Sequence, residues 1–201
     1  MSTFSTSRGA LDRERAVRCI VVYVTTYIAL FRGINVGGNQ ILPMKALKTI
    51  LEKSACSDVR TYIQSGNAVF RRASRDAAAL SKQLAVAVSK SHGFEPRVLA
   101  RTLKELEKAS AANPFPEAEG DPKSVHLFFL AERAKKPDLK ALEALRTPTE
   151  RFILKDKVFY LHTPDGLGRS KLAARAEKLL GVEATARNWR TVKTLIEMAK
   201  S

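Results

Sequence analysis

The chain has 201 residues, 45% apolar and 27% charged; these near-average proportions exclude wholesale disorder and supply a core for one long domain or two small ones. Ten glycines and eight prolines are too few for a collagen-like or low-complexity chain. Lysine and arginine exceed aspartate and glutamate by 35 to 20, and the net charge of +15, shared by both halves, points to anionic partners such as phosphate ligands or nucleic acid.

Residues 1–26 mix Ser, Thr and Arg with little hydrophobic periodicity and read as a disordered extension. Residues 27–34 are aromatic and apolar, and Gly33, Asn35, Gly37 and Gly38 follow, so a strand runs into a glycine-punctuated loop. Pro43 can open a helix, because its missing N–H has no partner in a first turn, and Met44, Leu47, Ile50 and Leu51 give that helix an apolar stripe. Runs 59–64 and 68–72 flank Ser65-Gly66-Asn67, a turn composition that predicts a hairpin. A second helix spans about 76–91 and stops at Gly93; a strand over 95–100 and a helix over 103–112 complete the first half.

Residues 113–123 hold three prolines and three acidic residues and form the best linker candidate. Beyond them the order repeats: strand 125–131, helix 138–145, strands 151–155 and 158–162 around Asp156-Lys157, helix 170–180 closed by Gly181, strand 183–187 and a terminal helix 189–199. Each half is therefore β-α-β-β-α-β followed by one helix. The expected fold class is α+β, two tandem ferredoxin-like plaits over 27–112 and 124–201. If the strands alternate, Tyr27, Ala29 and Phe31 share a sheet face, as do Arg60, Tyr62 and Gln64, and the second plait is expected to cover that face.

The scattered His92, His126 and His162 and the lone Cys19 and Cys56 lack metal-ligand spacing, so no metal is expected; so few cysteines also favour a reducing, cytoplasmic setting over a disulfide framework. The longest apolar runs fall far short of the roughly 20 residues that span a bilayer, and no membrane partner is expected.

Four loops are candidates for function. In Arg32-Gly33-Ile34-Asn35-Val36-Gly37-Gly38, glycines let backbone amides approach a ligand and Arg32 offers a planar fork to phosphate or carboxylate; a tight turn into the helix explains the same residues. Gln64, Ser65 and Asn67 bring two amides and a hydroxyl to the hairpin tip, where ordinary turn chemistry also suffices and no adjacent base activates Ser65. Asp165-Gly166-Leu167-Gly168-Arg169-Ser170-Lys171 is the closest to an anion cradle: Ser170 suits an N-cap, and Arg169 and Lys171 add charge beside a helix N-terminus. Arg187 precedes Asn188, a natural cap for a helix on which Trp189 reads as a core anchor.

Together, the motifs 27–38, 61–67, 164–172 and Arg187-Asn188-Trp189 with Thr191-Val192 resemble the bacterial domain-of-unknown-function family 1697, from about Thr25 to the C-terminus. The resemblance implies two ferredoxin-like subdomains and no assigned activity, so it supplies no catalytic residue. Relatives commonly start Met-Thr-Thr-Tyr; Val24-Thr25-Thr26-Tyr27 occupies that place here, which implies Val24 as the natural initiator and residues 1–23 as an extension.

The leading functional expectation is a phosphate-bearing small ligand held by Arg32, Asn35, Gly37, Gly38, Gln64, Ser65, Asn67, Gly168, Arg169, Ser170, Lys171 and Arg187. Nucleic-acid binding through the basic surface is the second, and a structural or protein-interaction role without a ligand the third. No nucleophile, base and orienting group can be named together, so no reaction and no cofactor is assigned.

Overall fold

The computed structural model describes residues 24–74 and 76–201, so all but the last three residues of the expected amino-terminal extension lie outside the described residues. Among the described residues the chain forms six α-helices and two four-stranded antiparallel sheets, a mixed α+β fold with two similar halves. The first half comprises β1 (Thr25–Arg32), α1 (Met44–Lys53), β2 (Ser57–Tyr62), β3 (Asn67–Arg72), α2 (Ala77–His92), β4 (Arg97–Thr102) and α3 (Leu103–Ala111). The second comprises β5 (Val125–Leu130), α4 (Leu139–Leu145), β6 (Arg151–Lys155), β7 (Val158–His162), α5 (Lys171–Leu180), β8 (Ala184–Asn188) and α6 (Trp189–Lys200). Strand order is β2-β3-β1-β4 in one sheet and β6-β7-β5-β8 in the other.

Local chemistry fixes the ends of these elements. Asp76 caps α2 by accepting from the Ala78 and Ala79 amides, and Gly93 closes the helix at φ 74°. Thr102 and Glu105 form a reciprocal capping box at the start of α3, and the Asn188 side chain accepts from the Thr191 amide to open α6. Strands β1 and β2 both begin and end two residues earlier than the apolar pattern predicts. Gly33, at φ 80°, turns the chain out of β1, and a bulge between Ser57 and Arg60, with Asp58 at φ 52°, starts β2 early.

Three apolar layers result. Tyr27, Ala29, Phe31 and Phe70 face α1 and α2; Phe128, Phe159 and Leu161 face α4 and α5; between the sheets, Ile28, Leu30 and Val69 meet Leu127, Phe129, Tyr160 and the inner side of α6, including the buried Trp189. This corrects the expected sheet face. Tyr27, Ala29 and Phe31 are buried beneath helices of their own half, whereas Arg60 and Tyr62 lie on the opposite face, the one the second half covers. Alternation could not distinguish the sides, because β1 is apolar on both.

The segment 113–123, linker-like in composition, is packed. It carries the 3-10 helix Pro116–Gly120, and Phe115 and Ala118 join the core between the sheets. Phe115 sits under the Arg151 guanidinium, 4.9 Å from its ring centroid, and 5.8 Å from the His162 ring; Glu117 pairs with the same arginine.

His126, on β5, is buried, with Nδ1 3.4 Å from Thr163 Oγ1. Burial pushes its pKa down to about 4, against a smaller upward pull from a hydrogen bond with the Ser124 backbone. The unfolded chain then binds the extra proton first, so stability is complete above about pH 6.5 and declines as pH falls toward 4, by about 2–3 kcal/mol in total. Urea unfolding of wild type and His126→Leu across this window checks it; the variant is expected to lose most of the slope.

Candidate functional site

Residues Ile63, Gln64, Ser65 and Gly66 connect β2 to β3, and this turn is packed against the end of β1. Gly66 adopts φ 74°, and a Cβ there would lie 2.7 Å from both Ile34 Cδ1 and Phe31 Cβ, so only glycine fits. The Phe31 amide donates to the Gly66 carbonyl at 2.8 Å. Ile63, a β-branched residue, is held at φ 48° while half its surface faces solvent, a conformation that costs about 1–3 kcal/mol unless its surroundings impose it.

The loop after β1 reverses tightly at Gly37 and Gly38, both at positive φ, with the Asn39 amide donating to the Val36 carbonyl at 3.0 Å. Asn35 braces its base. Its Nδ2 donates to the Leu42 and Gln64 carbonyls, both at 2.9 Å, and its Oδ1 accepts from the Leu42 amide at 2.8 Å. The two loops enclose an open cleft of about 430 Å³ lined by Arg32, Asn35, Val36, Ile63, Gln64, Ser65 and Arg187.

Arg187 reaches this cleft from β8, across the junction of the halves. Its Nε donates to Asn67 Oδ1, Nη1 to the Ala186 carbonyl at 2.8 Å, and Nη2 to the carbonyls of Phe31 at 2.7 Å and of Ser65 and Gly66 at 3.2 Å. Among the described residues no carboxylate pairs with it. Burial alone lowers its pKa to about 10, so it stays cationic at neutral pH with only neutral acceptors around it. Nη1 carries two hydrogens and has one acceptor, which leaves one N–H without a partner among the described residues.

Asn67 is fully buried, donating to the Tyr62 carbonyl at 3.2 Å and Ser65 Oγ at 3.0 Å while accepting from Arg187. It therefore shapes the cleft from beneath, where no ligand reaches it, and belongs to β3 and not to the turn. Arg32 is also engaged: its Nη1 donates to the Glu177 carboxylate on α5 and, at 2.8 Å, to the Ala184 carbonyl. Arg97 shares Glu177 at 2.7 Å. Nothing in the sequence marked Glu177, an acidic residue on the polar side of a helix. Gly37 and Gly38 project at the tip of their loop and do not line the cleft.

The remaining candidates lie elsewhere. Gly166 at φ 93° and the 3-10 turn Leu167–Arg169 lead to Ser170, whose Oγ accepts from the Ala173 amide at 2.9 Å and whose carbonyl accepts from the Ala174 amide at 3.1 Å. The amides of Arg169 and Ser170 close the turn on the Gly166 and Leu167 carbonyls. Among the described residues the Lys171 and Leu172 amides have no acceptor, and Gly168, Arg169 and Lys171 are exposed. Helix α5 packs through Leu172, Ala176 and Leu180 on the outer face of its sheet, whereas Arg187 pairs across to Leu127 on the inner face. The structure thus brings Arg32, Asn35, Gln64, Ser65 and Arg187 together and keeps Gly168, Arg169, Ser170 and Lys171 apart from them.

A family model described as Protein of unknown function (DUF1697) matches residues 24–160, which include the cleft loops and end before α5 and Arg187. No curated protein matches the chain. Among solved structures, the chain is similar to the conserved bacterial protein SP0830 from Streptococcus pneumoniae, with a TM-score of 0.63 and 22% identity over 88% of this chain and 99% of that one.

Proposed function

The chain belongs to the family of proteins of unknown function DUF1697, and from that footing we propose that it binds a small phosphate-bearing anion, in the cytoplasm, at the cleft above Arg187. Each half is read as a ferredoxin-like plait, 27–112 and 124–201 with 113–123 between them; the shared strand order with every neighbour antiparallel supports this. The observation that carries the ligand reading is Arg187 itself: a desolvated guanidinium with no carboxylate, one N–H to spare, lining an open cleft. An entering oxyanion would compensate that charge, with the Gln64 amide and Ser65 hydroxyl beside it. The start of α5, with Arg169 and Lys171, is a second and separate place for the same class of anion. The overall charge of +15 favours nucleic acid as the competing partner.

Thermal unfolding with inorganic phosphate, nucleoside monophosphates, sugar phosphates and short oligonucleotides at fixed ionic strength tests these readings. A small phosphate at ten times its Kd adds about 1.4 kcal/mol, a rise of about 4 °C in Tm for a chain of this length. Gln64→Glu is expected to abolish the rise if the cleft is the site, and Arg169→Ala with Lys171→Ala if α5 is. A flat response to every small phosphate at millimolar concentration overturns the proposal. Stabilisation by oligonucleotides alone, falling steeply with salt, transfers it to nucleic acid.

A further inference from the structure

A second cavity, of about 310 Å³, opens at the seam between the halves on surfaces that no sequence motif marked. Its floor is apolar: Phe129 and Tyr160 from the second sheet, both almost fully buried, with Val158 and, from α3, Ala109 and Ala112. The Tyr160 hydroxyl donates to the Ala109 carbonyl at 2.8 Å, so that its polar end is already engaged. The rim is cationic, formed by Arg101 on β4, Lys108 on α3, Arg133 after β5, and Lys155 and Lys157 at the β6–β7 turn.

Two acids share this rim, and both are occupied. Asp156 pairs with Arg133 and, at 3.7 Å, with Lys108. Glu105 accepts from the Thr102 amide at 2.8 Å and the Thr102 hydroxyl at 2.9 Å in the capping box of α3. Among the described residues, Arg101, Lys155 and Lys157 therefore have no ion-pair partner. Arg101 is the telling member, being only 7% exposed. Its Nη1 donates to the Ala100 carbonyl at 3.2 Å and its Nη2 to the Leu130 carbonyl, which leaves Nε–H and one hydrogen on each Nη without an acceptor. Arg101 is thus a mostly buried cation on which the charge of Glu105 acts only through space, and its unengaged donors stand beside an apolar chamber, where an entering anion would take them up.

We infer that this cavity binds a compact amphipathic carboxylate, with an aromatic or short acyl body on Phe129, Val158 and Tyr160 and the carboxylate against Arg101, Lys155 and Lys157. The volume stands at the small end of the usual range for ligand pockets, about 300–1,000 Å³, which suits one fused ring system or a short chain. A planar guanidinium fork matches a carboxylate, and a singly charged head is desolvated at less cost than a phosphate dianion in so apolar a chamber.

Calorimetric titration of the full chain with 2-naphthoate, 2-naphthamide and 2-naphthyl phosphate tests this. Saturable one-to-one binding of the naphthoate is expected, with the amide at least tenfold weaker. Arg101→Met should abolish binding. Should that variant fail to fold, Lys155→Glu with Lys157→Glu, on an exposed turn, is expected to weaken it at least tenfold, whereas Gln64→Glu in the other cleft leaves it unchanged. Equal affinity for acid and amide, undiminished binding by the Lys155/Lys157 variant, or tighter binding of the naphthyl phosphate overturns the inference.

Discussion

Arg187→Met is expected to lower the unfolding free energy by about 4 kcal/mol, in the range seen when one partner of a buried polar cluster is removed. The methionine keeps much of the side chain's length and apolar contact, so the loss isolates the guanidinium head. Without it, the carbonyls of Phe31 and Gly66 and the Asn67 amide oxygen lose a donor at buried positions, and the Ser65 carbonyl loses one at the exposed edge of the cleft. These acceptors belong to the first half and the donor to the second, so the variant should also unfold less cooperatively. Arg187→Lys keeps the charge but cannot fan its donors across four acceptors, and should fall between the two. Urea unfolding at pH 7 measures both; a loss under about 1 kcal/mol for the methionine variant contradicts the assignment of Arg187 as the tie between halves.

Gly66→Ala is expected to cost about as much, about 4 kcal/mol, by a different route. A left-handed backbone penalises a β-carbon by about 1–2 kcal/mol, and overpacking a filled core adds about 1–3 kcal/mol. Here the new methyl would meet Ile34 Cδ1 and Phe31 Cβ, both at 2.7 Å. The isoleucine end can swing aside. Phe31 Cβ is fixed by β1 and cannot retreat without moving the strand. Gly37→Ala separates the two contributions, since its φ of 59° is also left-handed but a Cβ there would meet nothing within 4 Å. Chemical denaturation should show a loss of about 1 kcal/mol at Gly37, the backbone share alone. Equal losses at the two positions would remove the steric argument for Gly66.

Much of the fold was legible because its signals are local. The stripe of Leu47, Ile50 and Leu51, the caps Ser170 and Asn188, and the stops Gly93 and Gly181 each act within a turn or two of chain. The candidate site was legible only as separate loops. Nothing near Arg32 in sequence foretells Glu177, 145 positions away, nor does the context of Asn67 reveal that it lies beneath Arg187. Nor does the composition of 113–123, prolines and acids between the two halves, foretell that Phe115 is gripped by Arg151 and His162 from strands far along the chain. The cationic rim around Arg101 left no trace at all, because α3, β4 and the β6–β7 turn contribute one or two ordinary basic residues each.

Across the junction, Arg187 and Arg101 each reach main-chain oxygens of the opposite half: Phe31, Ser65 and Gly66 for one, Leu130 for the other. Peptide oxygens are present whatever residue occupies the position and do not titrate. The bond between the two lobes should therefore tolerate sequence drift as long as the chain path is kept. A chimaera fusing this amino-terminal lobe to the carboxy-terminal lobe of a distant homologue that retains the β8 arginine should melt in one transition; two separate melts would show that side-chain matching governs the union.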